Sequence, residues 1–178
     1  MVNPFLNICM KLRISLLSLI VVVLYNLKLY KSLKGFAVKM NFDIKALARK
    51  ALDARNKSYS PYSHFRVGAA LLCKDGKIYI GANIENAAYA PTNCAERTAF
   101  FSAVMDGQSD FAAIFISGGA ADMPDEFCPP CGVCRQVMRE FCNPEEFRIF
   151  LVKSEQEVAE YRLCELLPMG FGPDNLER

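Results

Sequence analysis

CPPCGVCRQVMREF, residues 128–141, places three cysteines three residues apart at the start of a segment with helical apolar spacing. Two prolines precede Cys131 and favour an extended backbone, so the helix is predicted to begin near that cysteine. Cys131 and Cys134 then project on the same side of one helical turn, as two ligands of a tetrahedral metal ion would. Cys128 and Cys131 have the same spacing and are the competing pair, but the prolines between them disfavour a helical turn.

A second cysteine-bearing segment is NCAERTAFFSAVMDG, residues 93–107. Its apolar residues recur at helical spacing and Gly107 is a good C-terminal stop, so a helix is predicted to start near Cys94. The free N–H groups and dipole of a helix N-terminus lower the pKa of a thiol there and favour the zinc-binding thiolate. Cys94 is therefore the candidate third ligand. Three protein ligands leave one position for water, as in catalytic zinc sites.

Charged residues adjoin these cysteines. Glu96 is too close to Cys94 in sequence to chelate comfortably with it, but is well placed to move protons. Arg97 and Arg135 are the cations expected to moderate the negative charge of a three-thiolate site. The structural alternative is a zinc knuckle, which needs a fourth protein ligand, and His64 is the sole histidine.

Strand and helix patterns alternate along the remaining chain. MNFDIKALARKALDAR, residues 40–55, predicts a helix capped by Asp43. FRVGAALLC and KIYIGANIE predict a hairpin with Asp75-Gly76 at its turn, while AAIFISGG and RIFLVKS predict further strands. AEYRLCELL predicts a last strand that runs into a short helical turn. The alternation predicts the α/β class, with helices covering the faces of a layered sheet.

Residues 1–39 differ from the rest of the chain in composition. ISLLSLIVVVLYNL, residues 14–27, is apolar but short for a membrane-spanning helix, and no small-residue cleavage site of a signal peptide follows it. Because the helix from Met40 needs nothing upstream, we expect translation to begin there. Residues 1–39 are then a basic and apolar extension, with a membrane tether as the alternative, and residues 40–178 form the domain.

Charge and cysteine usage narrow the choice of function. Residues 1–39 contain six basic residues and no acidic one, which leaves residues 40–178 with a formal net charge of −4. A mildly acidic domain offers no basic stripe for a phosphate backbone, so a small molecule is a better candidate partner than nucleic acid. Grouped cysteines favour metal binding in a reducing compartment, and we expect a cytoplasmic protein. The isolated cysteines are interpreted as buried apolar residues: Cys9, Cys73, Cys142 and Cys164.

The motifs C-A-E at 94–96 and P-C-x-x-C-R-Q at 130–136 resemble those of cytidine deaminases. Three further segments are similar to the small, single-domain members of that family in order and spacing: PYSHFRVGAAL (61–71), NIENAAY (83–89) and ELLPMGFGPDNL (165–176). The resemblance covers essentially everything from Met40 onward. It implies a three-layer α/β/α fold with a mixed sheet of about five strands, one Zn²⁺ per subunit and a homotetramer.

The resemblance also implies an activity, the hydrolytic deamination of cytidine and deoxycytidine to uridine and deoxyuridine with release of ammonia. It makes Glu96 the catalytic acid/base and the three candidate cysteines the zinc ligands. The implied substrate-binding residues are Asn83 and Glu85 for the ribose hydroxyls, Phe65 for the pyrimidine ring, the Ala95 N–H for the base carbonyl and Phe171 for a neighbouring subunit's site. The alternatives are an aminohydrolase for another nucleoside-like substrate, a polynucleotide-editing enzyme and a non-catalytic zinc-binding module.

Overall fold

Five strands form one mixed sheet in the computed structural model, which describes residues 42–120 and 126–176. The strands are β1 (Arg66–Cys73), β2 (Ile78–Ala82), β3 (Phe111–Gly119), β4 (Arg148–Val152) and β5 (Val158–Arg162). Their order in the sheet is β2-β1-β3-β4-β5. β3 and β4 run parallel, and the other three neighbouring pairs are antiparallel.

Helices cover both faces of this sheet. They are α1 (Ile44–Ala54), α2 (Ala95–Met105), α3 (Gly132–Phe141) and the short α4 (Leu163–Leu166), with 3₁₀ turns at Arg55–Lys57 and Pro173–Asn175. α1 packs on one face, whereas α2 and α3 pack on the other through a common apolar core. The predicted α/β class and the three-layer arrangement with five strands are confirmed.

Local sequence signals account for several element boundaries. The Asp43 side chain caps α1 by accepting a hydrogen bond from the Ala46 N–H at 3.0 Å, as is typical of an aspartate at this position. Gly76 has φ +92° in the turn between β1 and β2, and Gly107 has φ +80° just after α2. These left-handed conformations favour glycine, so the predicted hairpin turn and helix stop are both confirmed.

Two strand glycines allow the helices to approach the sheet closely. A Cβ on Gly68 of β1 would lie 2.2 Å from the Ala51 carbonyl oxygen of α1. A Cβ on Gly81 of β2 would lie 2.1 Å from the Ala95 carbonyl oxygen at the start of α2. Both separations are far below van der Waals contact, so glycine at each position sets the distance between a helix and the sheet.

Aromatic side chains fill the core on both faces of the sheet. Beneath α2 and α3, the ring of Phe100 lies 4.9 Å from that of Phe111 and 5.9 Å from that of Phe147, centroid to centroid. Elsewhere in the sheet, the rings of Phe115 and Phe150 stack at 4.3 Å across the parallel pair β3 and β4. This burial of apolar area is the main favourable contribution to folding.

The predicted extension at residues 1–39, with its apolar run and the alternative of a membrane tether, lies outside the described residues. Within residues 42–120 and 126–176, no helix has both the length and the apolar character needed to cross a bilayer.

Candidate metal centre and catalytic site

Sheet topology brings the two cysteine-bearing segments together. β2 and β3 are both antiparallel to β1, so their carboxyl ends lie at the same edge of the sheet. α2 follows β2 and α3 follows β3, and both helices begin at this edge. Cys94 is the N-cap residue of α2 and Cys131 is the N-cap residue of α3, with Cys134 in the first turn of α3.

The three sulfurs have the spacing of a tetrahedral zinc site. A zinc–sulfur bond length of about 2.3 Å places two sulfurs of a tetrahedron about 3.8 Å apart. The Sγ atoms of Cys94 and Cys131 are 3.9 Å apart, and those of Cys131 and Cys134 are 3.5 Å apart. All three lie within 4.8 Å of one another, and they are the one such ligand cluster among the described residues. The donor set therefore fits Zn²⁺.

The charges around these sulfurs favour a bound cation. A hydrogen bond from Cys134 and the nearby Arg97 guanidinium lower the pKa of Cys94 to about 5. The same hydrogen bond and burial raise the pKa of Cys134. The Cys94 thiolate therefore forms readily, whereas Cys134 keeps the proton that the two sulfurs share. A divalent cation between the sulfurs would stabilise every thiolate that binds it.

Arg97 lies beside the cysteines and Arg135 binds the main chain nearby. The Arg97 guanidinium donates to Cys94 Sγ at 3.5 Å and to the Thr92 carbonyl at 3.1 Å. Its Nε is buried and has no hydrogen-bond partner within the described part of the chain. Arg135 donates to the Pro130 and Leu166 carbonyls, both at 2.7 Å. Thus Arg97 contacts a candidate ligand directly, whereas Arg135 links the segment before α3 to the end of α4.

Glu96 is a buried carboxyl in the first turn of α2, where it is only 4% exposed. Burial, aided by the negative charge of Cys94, raises the pKa of Glu96 to about 7. A carboxyl with a pKa near neutrality is available both to accept and to donate a proton, which is the property that a general acid/base requires. Buried carboxyls with perturbed pKa values are also typical of functional sites.

Asn83 forms hydrogen bonds with three parts of the chain. Its Oδ1 accepts from Ser58 Oγ at 2.6 Å and from the Val67 N–H at 2.8 Å. Its Nδ2 donates to the Phe65 carbonyl at 2.9 Å. An amide nitrogen carries two hydrogens, so one donor of Asn83 remains beyond these contacts.

Glu85 holds the turn that precedes β1. Its Oε2 accepts from the Tyr62 N–H at 2.9 Å and from the Ser63 N–H at 3.2 Å, and its Oε1 accepts from the Ser63 hydroxyl. The Ser63 hydroxyl bond is the main cause that lowers the pKa of Glu85. Glu85 is therefore an anionic acceptor beside a cavity of about 270 Å³, whose lining includes Tyr62, Ser63, Asn86, Tyr89 and Thr92.

Phe65 and Cys128 pack together over Gly118 of β3. A Cβ on Gly118 would lie 2.6 Å from Cys128 Sγ and 3.2 Å from a ring carbon of Phe65. Phe65 remains 39% exposed. Burial raises the pKa of Cys128 to about 11, so this residue stays a thiol at neutral pH and is poorly reactive. Cys128 thus borders the Phe65 side chain and stands outside the three-sulfur cluster.

Phe171 lies in the C-terminal tail, residues 167–176, which follows α4. The tail is distant in sequence from the N-termini of α2 and α3, where the three candidate cysteines lie. Its carbonyl accepts a hydrogen bond from Gln136 Nε2 of α3 at 2.8 Å, and its side chain is 59% exposed. The ring is therefore available to another molecule. His64 lines a separate cavity of about 490 Å³ with Ser58 and Arg66, and this cavity includes none of the three candidate cysteines.

The described chain matches a protein-family model, the cytidine and deoxycytidylate deaminase zinc-binding region, over residues 42–149. That span includes all three cysteines and Glu96. The chain belongs to the cytidine deaminase family. The family's zinc-binding region and the observed cysteine cluster together fit one Zn²⁺ per subunit.

Relatives extend the similarity to this family beyond the matched region. A cytidine deaminase of Halalkalibacterium halodurans is 46% identical over 134 residues, which cover 75% of this chain and 98% of the relative. A probable cytidine deaminase of Dictyostelium discoideum is 42% identical over 131 residues, covering 71% of this chain and 85% of the relative. These cytidine deaminases are matched over most of their length.

Solved structures show the same fold. The crystal structure of cytidine deaminase from Burkholderia pseudomallei matches with a TM-score of 0.65 at 44% identity, covering 71% of this chain and 97% of that one. The cytidine deaminase from Mycobacterium tuberculosis matches with a TM-score of 0.64 at 34% identity, covering 74% and 99%. The fold expected from the resemblance to cytidine deaminases is therefore confirmed.

Several residues that support this cytidine deaminase site carry no signal in the sequence. Ser58 and Ser63 bind Asn83 and Glu85 across 25 and 22 residues. A lone serine in a turn gives no indication of such a distant partner. Gln136 and Arg139 of α3 are three residues apart, a spacing that puts both on one helix face, but the sequence does not show that the tail covers that face.

Proposed function

We propose that this protein is a zinc-dependent hydrolase that converts cytidine and deoxycytidine to uridine and deoxyuridine, with release of ammonia. The observation that carries the proposal is the juxtaposition of three thiol groups at zinc-site spacing with a buried carboxyl whose pKa is about 7. Cys94, Cys131 and Cys134 are the proposed zinc ligands. His64 lines a different cavity, which favours a three-ligand catalytic site over a closed structural one.

Glu96 is the proposed acid/base. Zinc held by the three thiolates would supply a water molecule acidic enough to react near neutral pH. Glu96 would accept a proton from that water and deliver it to N3 of the cytosine ring as the new C4–O bond forms. It would then take the second proton, from the hydroxyl now attached to C4, and deliver it to the amino group as the C4–N bond breaks and the C4 carbonyl forms. One water is consumed and one ammonia released, and Glu96 ends the cycle in its initial state.

Two groups are proposed to hold the pyrimidine base. The first N–H groups of an α-helix have no partner within the helix, so the Ala95 N–H at the start of α2 can donate to the base carbonyl. Phe65 is exposed enough to present its ring to the base. Gly118 supports this role because it leaves room for both Phe65 and Cys128 beside β3.

Asn83 and Glu85 are the proposed partners of the ribose hydroxyls. After its three contacts within the chain, Asn83 retains one N–H donor. Glu85 retains acceptor capacity on a carboxylate that faces a cavity. A sugar hydroxyl both donates and accepts, so this pair suits it. Arg97 would moderate the negative charge of the metal centre, and Arg135 would keep the α3 N-terminus in place.

A homotetramer with shared sites is the proposed assembly. The outer face of α2 leaves apolar side chains exposed at helical spacing: Phe101 (44%), Val104 (37%) and Met105 (90%). Such a patch is typical of an interface between subunits. The exposed ring of Phe171 would reach the nucleoside site of a neighbouring subunit. The substrate is a nucleoside, and nucleic acid is not an expected partner of this acidic domain.

Residues 40–178 are the proposed catalytic domain, and residues 1–39 an extension that catalysis does not require. The family match beginning at residue 42 supports this boundary. A cytoplasmic location is also proposed, because a three-thiolate site requires reduced cysteines and the cytoplasm maintains them.

The decisive experiment compares the wild type with Glu96→Gln in an ultraviolet assay of both nucleosides, with zinc per subunit measured on each protein. We expect the variant to retain zinc and to lose on the order of 10²–10⁴ in turnover or more. Glu140→Gln, an exposed site on α3, is the matched control and should leave turnover unchanged. A wild type that binds zinc but converts neither nucleoside would contradict the proposed substrate. A Glu96→Gln variant near full activity would contradict the role of Glu96.

A further inference from the structure

The C-terminal tail is held against α3 by two polar side chains. Gln136 and Arg139 are three residues apart and share one face of the helix. Gln136 Nε2 donates to the Phe171 carbonyl at 2.8 Å, and the Arg139 guanidinium forms an ion pair with the Asp174 carboxylate. These contacts hold the tail at Phe171 and at Asp174, so they fix the short stretch of backbone between the two residues.

Glycine at position 172 allows the guanidinium of Arg139 to lie against the tail. A Cβ on Gly172 would be 2.4 Å from Arg139 Cζ and 2.7 Å from its Nε. The Gly172 N–H donates to Asn175 Oδ1 at 2.8 Å, which closes the turn over the guanidinium. Only 11% of the Arg139 side chain is exposed, against 63% for Arg49 in its ion pair with Glu155. Packing therefore adds to the charge contact, unlike in an ordinary surface ion pair.

The same contacts leave the ring of Phe171 uncovered. Its main chain is fixed by Gln136, whereas its side chain is 59% exposed. Met169, two residues before Phe171, is fully exposed and has φ +55°. The tail therefore presents an aromatic ring from a fixed backbone, an arrangement that lowers the entropy lost when the ring binds a ligand.

We infer that Arg139 is a positioning residue, which holds the tail on α3 so that Phe171 is presented to the nucleoside site. This inference rests on the proposed function, because the position of Phe171 matters only if its ring contacts substrate. α3 also carries Cys131 and Cys134 at its first turn. Cys134 and Arg139 are five residues apart, roughly 7.5 Å along the helix axis. One rigid helix thus links the metal centre to the tail.

The test is a double-mutant cycle on the full-length, zinc-loaded protein, with steady-state kinetics on cytidine. Arg139→Met keeps the aliphatic stem and removes the charge. We expect it to raise KM by about 5–20-fold with kcat within about twofold of the wild type, since it acts on binding. In the Phe171→Ala background, Arg139→Met should change KM by less than about twofold, because the two residues act through one ring. Arg49→Met is the matched control and should leave KM and kcat unchanged.

Asp174→Asn provides an independent arm if Arg139→Met does not fold. It removes the carboxylate charge and keeps the guanidinium. Like Arg139→Met, it should raise KM in the wild-type background and leave KM nearly unchanged in the Phe171→Ala background. Equal fold-changes in the wild-type and Phe171→Ala backgrounds would overturn the positioning role, as would an unchanged KM. Loss of zinc from a folded Arg139→Met protein would also overturn it. If the wild type itself does not convert cytidine, the proposed function fails, and this inference fails with it.

Discussion

Asn83 uses most of its hydrogen-bonding capacity inside the protein, although its expected role is to bind substrate. Its side chain joins Ser58, which follows the 3₁₀ turn after α1, to Phe65 and Val67 at the start of β1. The residue is only 8% exposed. A ribose hydroxyl would therefore meet a side chain whose orientation is already set by the protein, an arrangement that makes a polar contact more effective.

Replacing Asn83 with alanine should accordingly damage folding as well as binding. We expect Asn83→Ala to lower the free energy of unfolding by about 2–4 kcal/mol, because buried partners lose their hydrogen bonds. Urea denaturation measures this loss. Asn86→Ala is the control: its exposed side chain makes a local bond with the Ala88 N–H, so the loss should be at most about 1 kcal/mol. Equal effects of the two changes would contradict the structural part of the Asn83 role.

The choice among the three cysteines of residues 128–134 also leads to a prediction. We expect Cys131→Ala to lower zinc affinity by at least about 100-fold, since it removes a ligand. Cys128→Ala should retain one zinc per subunit, because that thiol packs against Gly118 outside the sulfur cluster. Zinc titration with a competing chelator distinguishes the two variants. The opposite result would favour Cys128 as the ligand.

The relative positions of residues were predictable from the sequence where the residues are close along the chain. Cys131 is the N-cap residue of α3 and Cys134 lies in its first turn, so the geometry of a helix start determines their separation. The partners of Arg135 were not predictable, because one of them is the Leu166 carbonyl, 31 residues away. The three contacts of Asn83 likewise depend on the pairing of β1 with β2, which brings distant turns together.

At the scale of elements, two close helix–sheet contacts have different consequences. Gly68 sets the distance of α1, which carries no proposed catalytic group, whereas Gly81 sets the distance of the α2 N-terminus. α2 begins beside Cys94, so a displacement of this helix moves a proposed ligand. The element boundaries followed from local signals such as Asp43 and Gly107, but these two approaches required knowledge of which helix covers which strand.

Gly81→Ala should therefore impair both stability and metal binding, while Gly68→Ala should impair stability alone. We expect each to cost about 1–3 kcal/mol or more of unfolding free energy, because the added methyl group clashes with backbone. Only Gly81→Ala should weaken zinc binding. Gly132→Ala is the stability control, since its Cβ would meet no atom within 4 Å. Chemical denaturation and zinc titration give the two readouts. Weaker zinc binding by folded Gly68→Ala would contradict the distinction.

At the scale of the whole molecule, the proposed shared site can be tested by mixing defective subunits. Glu96→Gln subunits lack the acid/base but present Phe171, and Phe171→Ala subunits retain Glu96. Mixed assemblies should contain some sites with both groups, so co-expressed subunits should include a fraction with the KM of the wild type. Separately purified proteins provide the control. If co-expression yields only the KM of Phe171→Ala, the ring acts within its own subunit or not at all.

The metal centre also constrains the chain over a long distance. Cys94 and Cys131 are separated by 37 positions, and the whole of β3, the central strand of the sheet, lies between them. An ion bound to both residues would act as a cross-link that closes this loop. By the chain-entropy estimate for cross-links, restricting a loop of this length in the unfolded ensemble is worth about 4 kcal/mol. The ion proposed to activate water would thus also restrain the segment that contains the central strand. Metal loading and folding would therefore be thermodynamically coupled.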